Sequence, residues 1–195
     1  QGCCCCGADM ETFTHPAGEA REREVSKMRV WIDVSADLGS PAIRIFAGNC
    51  PKGVEESQAR KWVVECIEAC LPQAEKRGVI LALENHGGVV AKPEGLLEIV
   101  KAVKSDWVGI NLDGGNFHGE DPYAELEACA SLAVTCQVKV EISRAGKKEA
   151  ADYGRVVGIL RKAGYKGYIT LEYEAAEEPL TAIPRHLEQL RKHLG

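Results

Sequence analysis

The sequence predicts an α/β fold of the (β/α)8 TIM-barrel type, present as an incomplete barrel in a single domain over residues 1–195. Short apolar runs alternate with longer amphipathic segments, a pattern that specifies a parallel sheet with right-handed crossovers. Four successive runs end in polar side chains, which converge on one point only if the sheet curves. No G-x-G-x-x-G or Walker sequence supports a doubly wound sheet instead. We count five strands, whereas a complete barrel has eight.

The first part of the chain contains one strand between two helices. Residues 1–18, which include the cysteine run 3–6, are expected to form an irregular N-terminal segment. Apolar residues at helical spacing then predict a helix from about residue 19 to 38 and a second from about 54 to 77, separated by a strand over 42–46. Pro72 lies inside the second helix and predicts a kink or a break there.

The remaining chain continues the alternation of strands and helices. Pro93 is expected to open one helix and Asp121-Pro122 to make a capped start for another. Four strands are expected at 79–84, 107–113, 134–142 and 167–173, and four helices at 93–105, 121–130, 150–163 and 179–194. A charged loop is expected over residues 143–149.

Composition and charge exclude several classes of function. The chain carries 24 Lys and Arg residues against 29 Asp and Glu residues, and no basic tract marks a nucleic-acid surface. No apolar run approaches the roughly 20 residues that a membrane span needs. Nine cysteines without a framework spacing indicate reduced, mostly buried thiols. We therefore expect a cytoplasmic protein with no nucleic-acid or membrane partner.

Polar side chains at four strand ends form the candidate site. Glu84, Asp113, Gln137 and Glu172 each offer an oxygen atom to a cation. Arg44, within an otherwise apolar strand, is either a substrate-binding cation or one half of a salt bridge.

Three sequence blocks resemble the xylose isomerase-like superfamily of TIM barrels, the sugar phosphate isomerases and epimerases. The blocks are Leu-Glu-Asn-His-Gly at 83–87, Gly-Ile-Asn-Leu-Asp at 109–113 with Asn-Phe-His at 116–118, and the stretch 164–173. The resemblance implies that Glu84, Asp113, Gln137 and Glu172 hold a divalent metal. The family usually shows His-x-Lys where this chain has Gln137-Val-Lys139. An all-oxygen donor set favours Mg²⁺ or Mn²⁺, with Co²⁺ and Zn²⁺ as alternatives.

The resemblance also implies that two or three upstream strands are missing, with the cysteine run 3–6 as the remnant of the third. Such a chain leaves strand edges exposed, so we expect it to aggregate, to pair with another copy as a homo-oligomer, or to depend on residues outside it.

The reaction implied is proton transfer next to a carbonyl of a small sugar or polyol, through an enediolate. Glu84 and Glu172 would serve as acid and base as well as ligands. His86, Asn116 and His118 either contact substrate or make ordinary loop hydrogen bonds. Lys139 either holds a substrate oxygen or neutralises nearby carboxylates, and neutralisation is favoured.

Two other classes of function stay open. One is a metal-dependent lyase or endonuclease on the same scaffold, and the endonuclease is disfavoured by the acidic charge. The other is a catalytically inactive binding or relic domain, suggested by Gln137 and the short N-terminus.

Overall fold

Six parallel strands curl into a half-barrel with helices against its outer face. The computed structural model describes residues 5–194. The strands of this sheet are β1 (Cys6–Gly7), β2 (Ala42–Ile45), β3 (Ile80–Glu84), β4 (Val108–Asp113), β5 (Ala133–Lys139) and β8 (Ile169–Glu172). The helices are α1 (Glu19–Asp37), α2 (Glu56–Arg77), α3 (Pro93–Ala102), α4 (Pro122–Cys129), α5 (Tyr153–Lys162) and α6 (Pro179–Leu194).

The order of strands in the sheet follows the chain. β1, β2, β3, β4, β5 and β8 lie side by side, and every neighbouring pair is parallel. The prediction of an incomplete TIM-type α/β fold is therefore confirmed, with six strands where the sequence indicated five. The additional strand is β1, formed by the end of the cysteine run, whereas Cys3 and Cys4 lie outside the described residues.

The prediction of a charged loop over 143–149 is wrong, because this segment forms most of an antiparallel hairpin. Its strands are β6 (Glu141–Arg144) and β7 (Lys147–Ala150). Ala145 and Gly146 connect them with φ angles of 46° and 80°, and two positive φ angles are what a tight two-residue hairpin turn requires. The fifth strand accordingly ends at Lys139, three residues before the expected end.

Of the kink or break predicted at Pro72, the break is absent, since α2 is helical from Glu56 to Arg77. Gly78 ends this helix in the left-handed conformation, with φ of 69°, and its N–H bonds the carbonyls of Ala74 and Glu75. The capped start predicted for α4 is confirmed, because the Asp121 side chain accepts a hydrogen bond from the backbone N–H of Ala124 at 3.3 Å.

The hydrophobic core lies between the sheet and the helices. Alternate strand residues point outward into it and are fully or almost fully buried, namely Ile43, Ile45, Leu81, Leu83, Ile110, Leu112 and Val138. The intervening residues, which include Arg44, Glu84 and Asn111, contact one another inside the half-barrel. The interior of the curled sheet is therefore polar.

The helices and the buried cysteines test two predictions made from composition. Across residues 5–194, every helix is too short or too polar to span a bilayer. Cys66, Cys70, Cys129 and Cys136 are buried without a disulfide, and burial raises the pKa of the Cys66 thiol to about 11. The prediction of buried, reduced thiols is confirmed for these four residues.

Candidate functional site

Three carboxylates from separate strands meet at the carboxyl edge of the sheet. Glu84, Asp113 and Glu172 are the last residues of β3, β4 and β8. Glu84 and Asp113 are buried, whereas the Glu172 side chain is 29% exposed. Because β4 and β5 separate the strands of Glu84 and Glu172, these two carboxylates stand on opposite sides of the Asp113 and Gln137 pair.

A chain of amide hydrogen bonds connects Glu84 to Glu172. Asn111 on β4 donates to Glu84 Oε2 at 3.1 Å and also contacts Gln137 Oε1. Gln137 Nε2 donates to Glu172 Oε2 at 2.8 Å. On the other oxygen of Glu84, Oε1 accepts from Asn116 Nδ2 at 3.0 Å. The sequence analysis missed Asn111, although its position two residues before Asp113 places both on one face of β4.

Asn85 fixes the backbone of Asp113. Its Oδ1 accepts from the Asp113 N–H at 2.8 Å, and its Nδ2 donates to the Asp113 carbonyl at 3.0 Å. The Gly115 N–H in turn donates to Asp113 Oδ1 at 2.8 Å. Asn85 is fully buried, so both of its hydrogen bonds are shielded from water. It is a positioning residue that the sequence analysis did not single out, and its place directly after Glu84 was the available signal.

Lys139 supplies the positive charge inside the cluster. Its Nζ lies 2.8 Å from Glu172 Oε2, 2.6 Å from Glu174 Oε2 and 3.4 Å from Asp113 Oδ2. These contacts are those expected of a neutralising cation. Glu141, two residues along the chain from Lys139, pairs instead with Lys148 on the hairpin at 3.1 Å.

Burial and charge set the proton affinities of the cluster. Burial raises the pKa of Asp113 to about 7, although the Lys139 ammonium opposes the rise. Burial also raises the pKa of Glu84, against the charge of Arg44. For Glu172 the upward effect of burial is outweighed by the hydrogen bond and charge of Lys139, so its pKa lies below the usual value. Burial would lower the pKa of Lys139, but hydrogen bonds to Glu172 and Glu174 raise it overall.

The remaining candidates lie around the rim of the cluster. Arg44 Nε is 3.3 Å from Glu84 Oε2, and its guanidinium carbon lies 4.6 Å from the centroid of the Phe46 ring. His86 is exposed, and its ring lies against the ring of Phe46, with 4.8 Å between the centroids. His118 is exposed, and within residues 5–194 no hydrogen bond joins it to the carboxylates. The structure thus gathers Asn116 and Lys139 into the cluster, but neither histidine.

The donor chemistry of the cluster suits a divalent cation. Mg²⁺ and Mn²⁺ prefer carboxylate and amide oxygens, and three carboxylates and one amide converge at this edge. Asp113 Oδ2 is buried and has no hydrogen-bond partner in the part of the chain that the structure describes. In that same part, no three His, Cys, Asp or Glu side chains are grouped so that they could hold an ion as they stand. The donor atoms are therefore of the type that a divalent metal prefers. In this structure the Lys139 ammonium lies beside Asp113 and Glu172.

Comparison with known proteins assigns the family. The model of the family described as "Xylose isomerase-like TIM barrel" matches residues 3–193. A putative hydroxypyruvate isomerase from Streptomyces coelicolor is 23% identical over 186 residues, which cover 89% of this chain and 66% of that protein. This chain therefore spans a little under two thirds of the length of that curated relative.

Solved structures of similar fold include a sugar epimerase and a zinc-bound protein. A 3-keto-D-glucoside 4-epimerase from E. coli, in the apo form, superposes with a TM-score of 0.81 at 15% identity, covering 98% of this chain and 79% of that one. An IOLI protein with a bound zinc atom superposes with a TM-score of 0.78 at 18% identity, covering 97% and 74%. At such identities the superpositions establish the fold alone. The match of the family model over almost the whole chain shows that this protein belongs to the xylose isomerase-like TIM-barrel family.

Proposed function

We propose that this chain carries the active site of a divalent-metal-dependent isomerase or epimerase acting on a small sugar or sugar phosphate. One observation carries this proposal: Glu84, Asp113 and Glu172 end three strands and are joined in one network with Gln137 and Lys139. In barrels of this class the carboxyl edge of the sheet carries the chemistry. The family and its sugar-modifying relatives support the class of substrate.

Glu84, Asp113, Gln137 and Glu172 would hold the metal ion. When bound, the ion would stabilise the negative charge that develops on the carbonyl oxygen of the substrate. The oxygen donors favour Mg²⁺ or Mn²⁺, with Co²⁺ as an alternative. The zinc bound by the IOLI protein supports Zn²⁺ as a further alternative. Lys139 already contacts Glu174 and would remain paired there.

The two glutamates would move the proton. Burial raises the pKa of Glu84, which makes this carboxylate a stronger base toward the carbon next to the carbonyl. Glu172 stands on the other side of the Asp113 and Gln137 pair, where it would take up a proton from solvent and deliver it to the substrate, while Glu84 passes the proton that it removed to solvent. Return to the same carbon gives an epimer, and return to the neighbouring carbon interconverts an aldose and a ketose.

The four proposed substrate contacts divide into two pairs. Asn116 and Lys139 lie within the network, where Asn116 orients Glu84 and Lys139 holds Glu172. His86 and His118 are exposed at the rim, where they could reach substrate hydroxyl groups. We expect replacement of either histidine to weaken substrate binding more than it slows proton transfer.

Hydrogen exchange with solvent tests this function directly. The full chain is incubated in deuterated buffer with Mn²⁺ or Mg²⁺ and with candidate ketoses, sugar phosphates and hydroxypyruvate. We expect deuterium next to the carbonyl of the true substrate, and loss of that exchange in Glu84→Gln and in Glu172→Gln. Glu141→Gln is the matched control, because Glu141 is a nearby carboxylate that pairs with Lys148 and not with the cluster.

Absence of deuterium from every substrate, with Mn²⁺ and with Mg²⁺, would contradict the enzymatic function. It would favour the inactive binding domain. Nicking of abasic DNA by the same preparation would favour the endonuclease instead.

The oligomeric state belongs to the same proposal. β1 and β8 are the edge strands of the sheet, and open edges favour pairing with another chain. We propose that two copies associate, which sedimentation of the full chain would show as twice the chain mass. A cytoplasmic location remains a prediction.

A further inference from the structure

The guanidinium of Arg44 makes no side-chain hydrogen bond within residues 5–194. An arginine side chain carries five N–H donors in one plane. Arg44 Nε lies 3.3 Å from Glu84 Oε2, but this buried atom makes no hydrogen bond to any residue between 5 and 194. The Phe46 ring covers one face of the guanidinium, with 4.6 Å between its carbon and the ring centroid. The group is therefore held in place by Phe46 and Glu84 without a hydrogen bond to Nε.

A cavity of about 220 Å³ borders this guanidinium inside the half-barrel. Its lining includes Gly7, Arg44, Asn111, Thr135, Gln137 and Thr170. A Cβ atom at Gly7 would lie 3.3 Å from Arg44 Nη2, so the glycine leaves the terminal nitrogen room. Because Asn111 and Gln137 belong to the amide chain of the site, the cavity adjoins the proposed reaction centre.

Neutralising Glu84 does not occupy all the donors of Arg44. The two oxygens of Glu84 already accept hydrogen bonds from Asn111 at 3.1 Å and from Asn116 at 3.0 Å. Burial keeps the pKa of Glu84 above its usual value despite the charge of Arg44. The contact between the two side chains runs through Arg44 Nε at 3.3 Å, and within residues 5–194 this atom makes no hydrogen bond to the carboxylate. The guanidinium therefore keeps donors for a further acceptor.

We infer that Arg44 binds an anionic group of the substrate, a carboxylate or a phosphate, in this cavity. The planar fork of a guanidinium matches two oxygens of either group. The substrate class is then a hydroxycarbonyl compound with a negative charge, and not a neutral sugar. This assignment of the substrate rests on the proposed function, whereas the binding of an anion at Arg44 does not.

Calorimetric titration of the full chain tests the anion site without catalysis. The probes are glycerate, glycerol phosphate and glycerol, which share a three-carbon skeleton and differ in their anionic group. EDTA is present throughout, so that no metal ion can hold the anion. The variant is Arg44→Gln, and the control is Arg155→Gln. Arg155 also stacks on an aromatic ring, at 4.2 Å from the Tyr123 centroid, and pairs with a carboxylate, but it lies on α5 outside the half-barrel.

We expect both anions to bind more tightly than glycerol to the unmodified chain and to Arg155→Gln. Loss of a charged hydrogen-bond donor typically weakens binding roughly 10- to 100-fold, which is the expected effect of Arg44→Gln. The anion that binds more tightly identifies the group as carboxylate or phosphate. Circular dichroism checks the fold, and Arg44→Lys, which keeps the charge without the fork, should show an intermediate loss.

Two outcomes would overturn the inference. One is that the unmodified chain binds the anions no more tightly than glycerol. The other is that Arg44→Gln and Arg155→Gln bind them equally. Loss of anion binding in Arg44→Gln together with absence of deuterium exchange in every substrate would support the anion site and reject the proposed reaction, so the two failures are distinguishable.

Discussion

Replacement of Asn85 by alanine tests whether the site is held by the hydrogen bonds between the ends of β3 and β4. The change removes both bonds to the Asp113 backbone, of 2.8 and 3.0 Å. Each buried backbone group left without a partner costs about 1–3 kcal/mol. Because water can enter the space left by the amide, we expect a total loss of about 2–4 kcal/mol in the free energy of unfolding. For a chain of this size that is a fall in Tm of roughly 4–16 °C.

Urea unfolding at constant pH, with EDTA present, measures this loss. Asn116→Ala is the matched control, because within residues 5–194 this half-buried amide makes one hydrogen bond, to Glu84. Its removal should cost about 1–2 kcal/mol, since water can reach the vacated position. The m-values of the two variants should agree, since neither changes the surface exposed on unfolding. If Asn85→Ala destabilises the protein no more than Asn116→Ala, the reasoning about the Asp113 backbone is refuted.

Three further predictions concern the site and its support. Burial raises the pKa of Asp113 to about 7, so between about pH 4 and pH 7 the folded protein holds a proton that the unfolded chain has lost. The contribution of this carboxyl to the free energy of unfolding therefore falls as pH rises over that range. Unfolding of metal-free Asp113→Asn should therefore show a stability advantage over the unmodified chain that grows over that range; a constant difference would contradict the assignment. Gln137→His should tighten Zn²⁺ binding in a titration, because imidazole is the better ligand; no gain would favour the inactive domain. Gly88→Ala should cost more than about 2 kcal/mol in urea unfolding, because its Cβ would lie 2.1 Å from the Gly48 carbonyl oxygen. Gly53→Ala is the control, since it has a similar φ and open space, and equal losses would count against the steric explanation.

Local patterns in the sequence predicted most of the fold. The apolar runs and helical spacing located the strands β2, β3, β4, β5 and β8 and all six helices, although β5 was predicted to end three residues too late. They did so because burial of one face imposes a period on the residues that form it. The positions of Glu84, Asp113 and Glu172 at strand ends were also predictable, since parallel strands bring their carboxyl ends to one edge. The hairpin over 141–150 was not, because Ala145 is an unusual residue at a positive φ and gives no turn signal.

The amino-acid sequence by itself determined the class of fold, the family and the edge of the sheet at which carboxylates gather. Only the tertiary structure decided how those carboxylates are partnered: Asn85 against the Asp113 backbone, Lys139 beside Glu172, and Arg44 beside Glu84. The physical reason is register. Periodicity states which face of its own strand a side chain occupies, but contacts of a few ångströms between strands depend on how far each strand is shifted against its neighbour and on how the sheet curls.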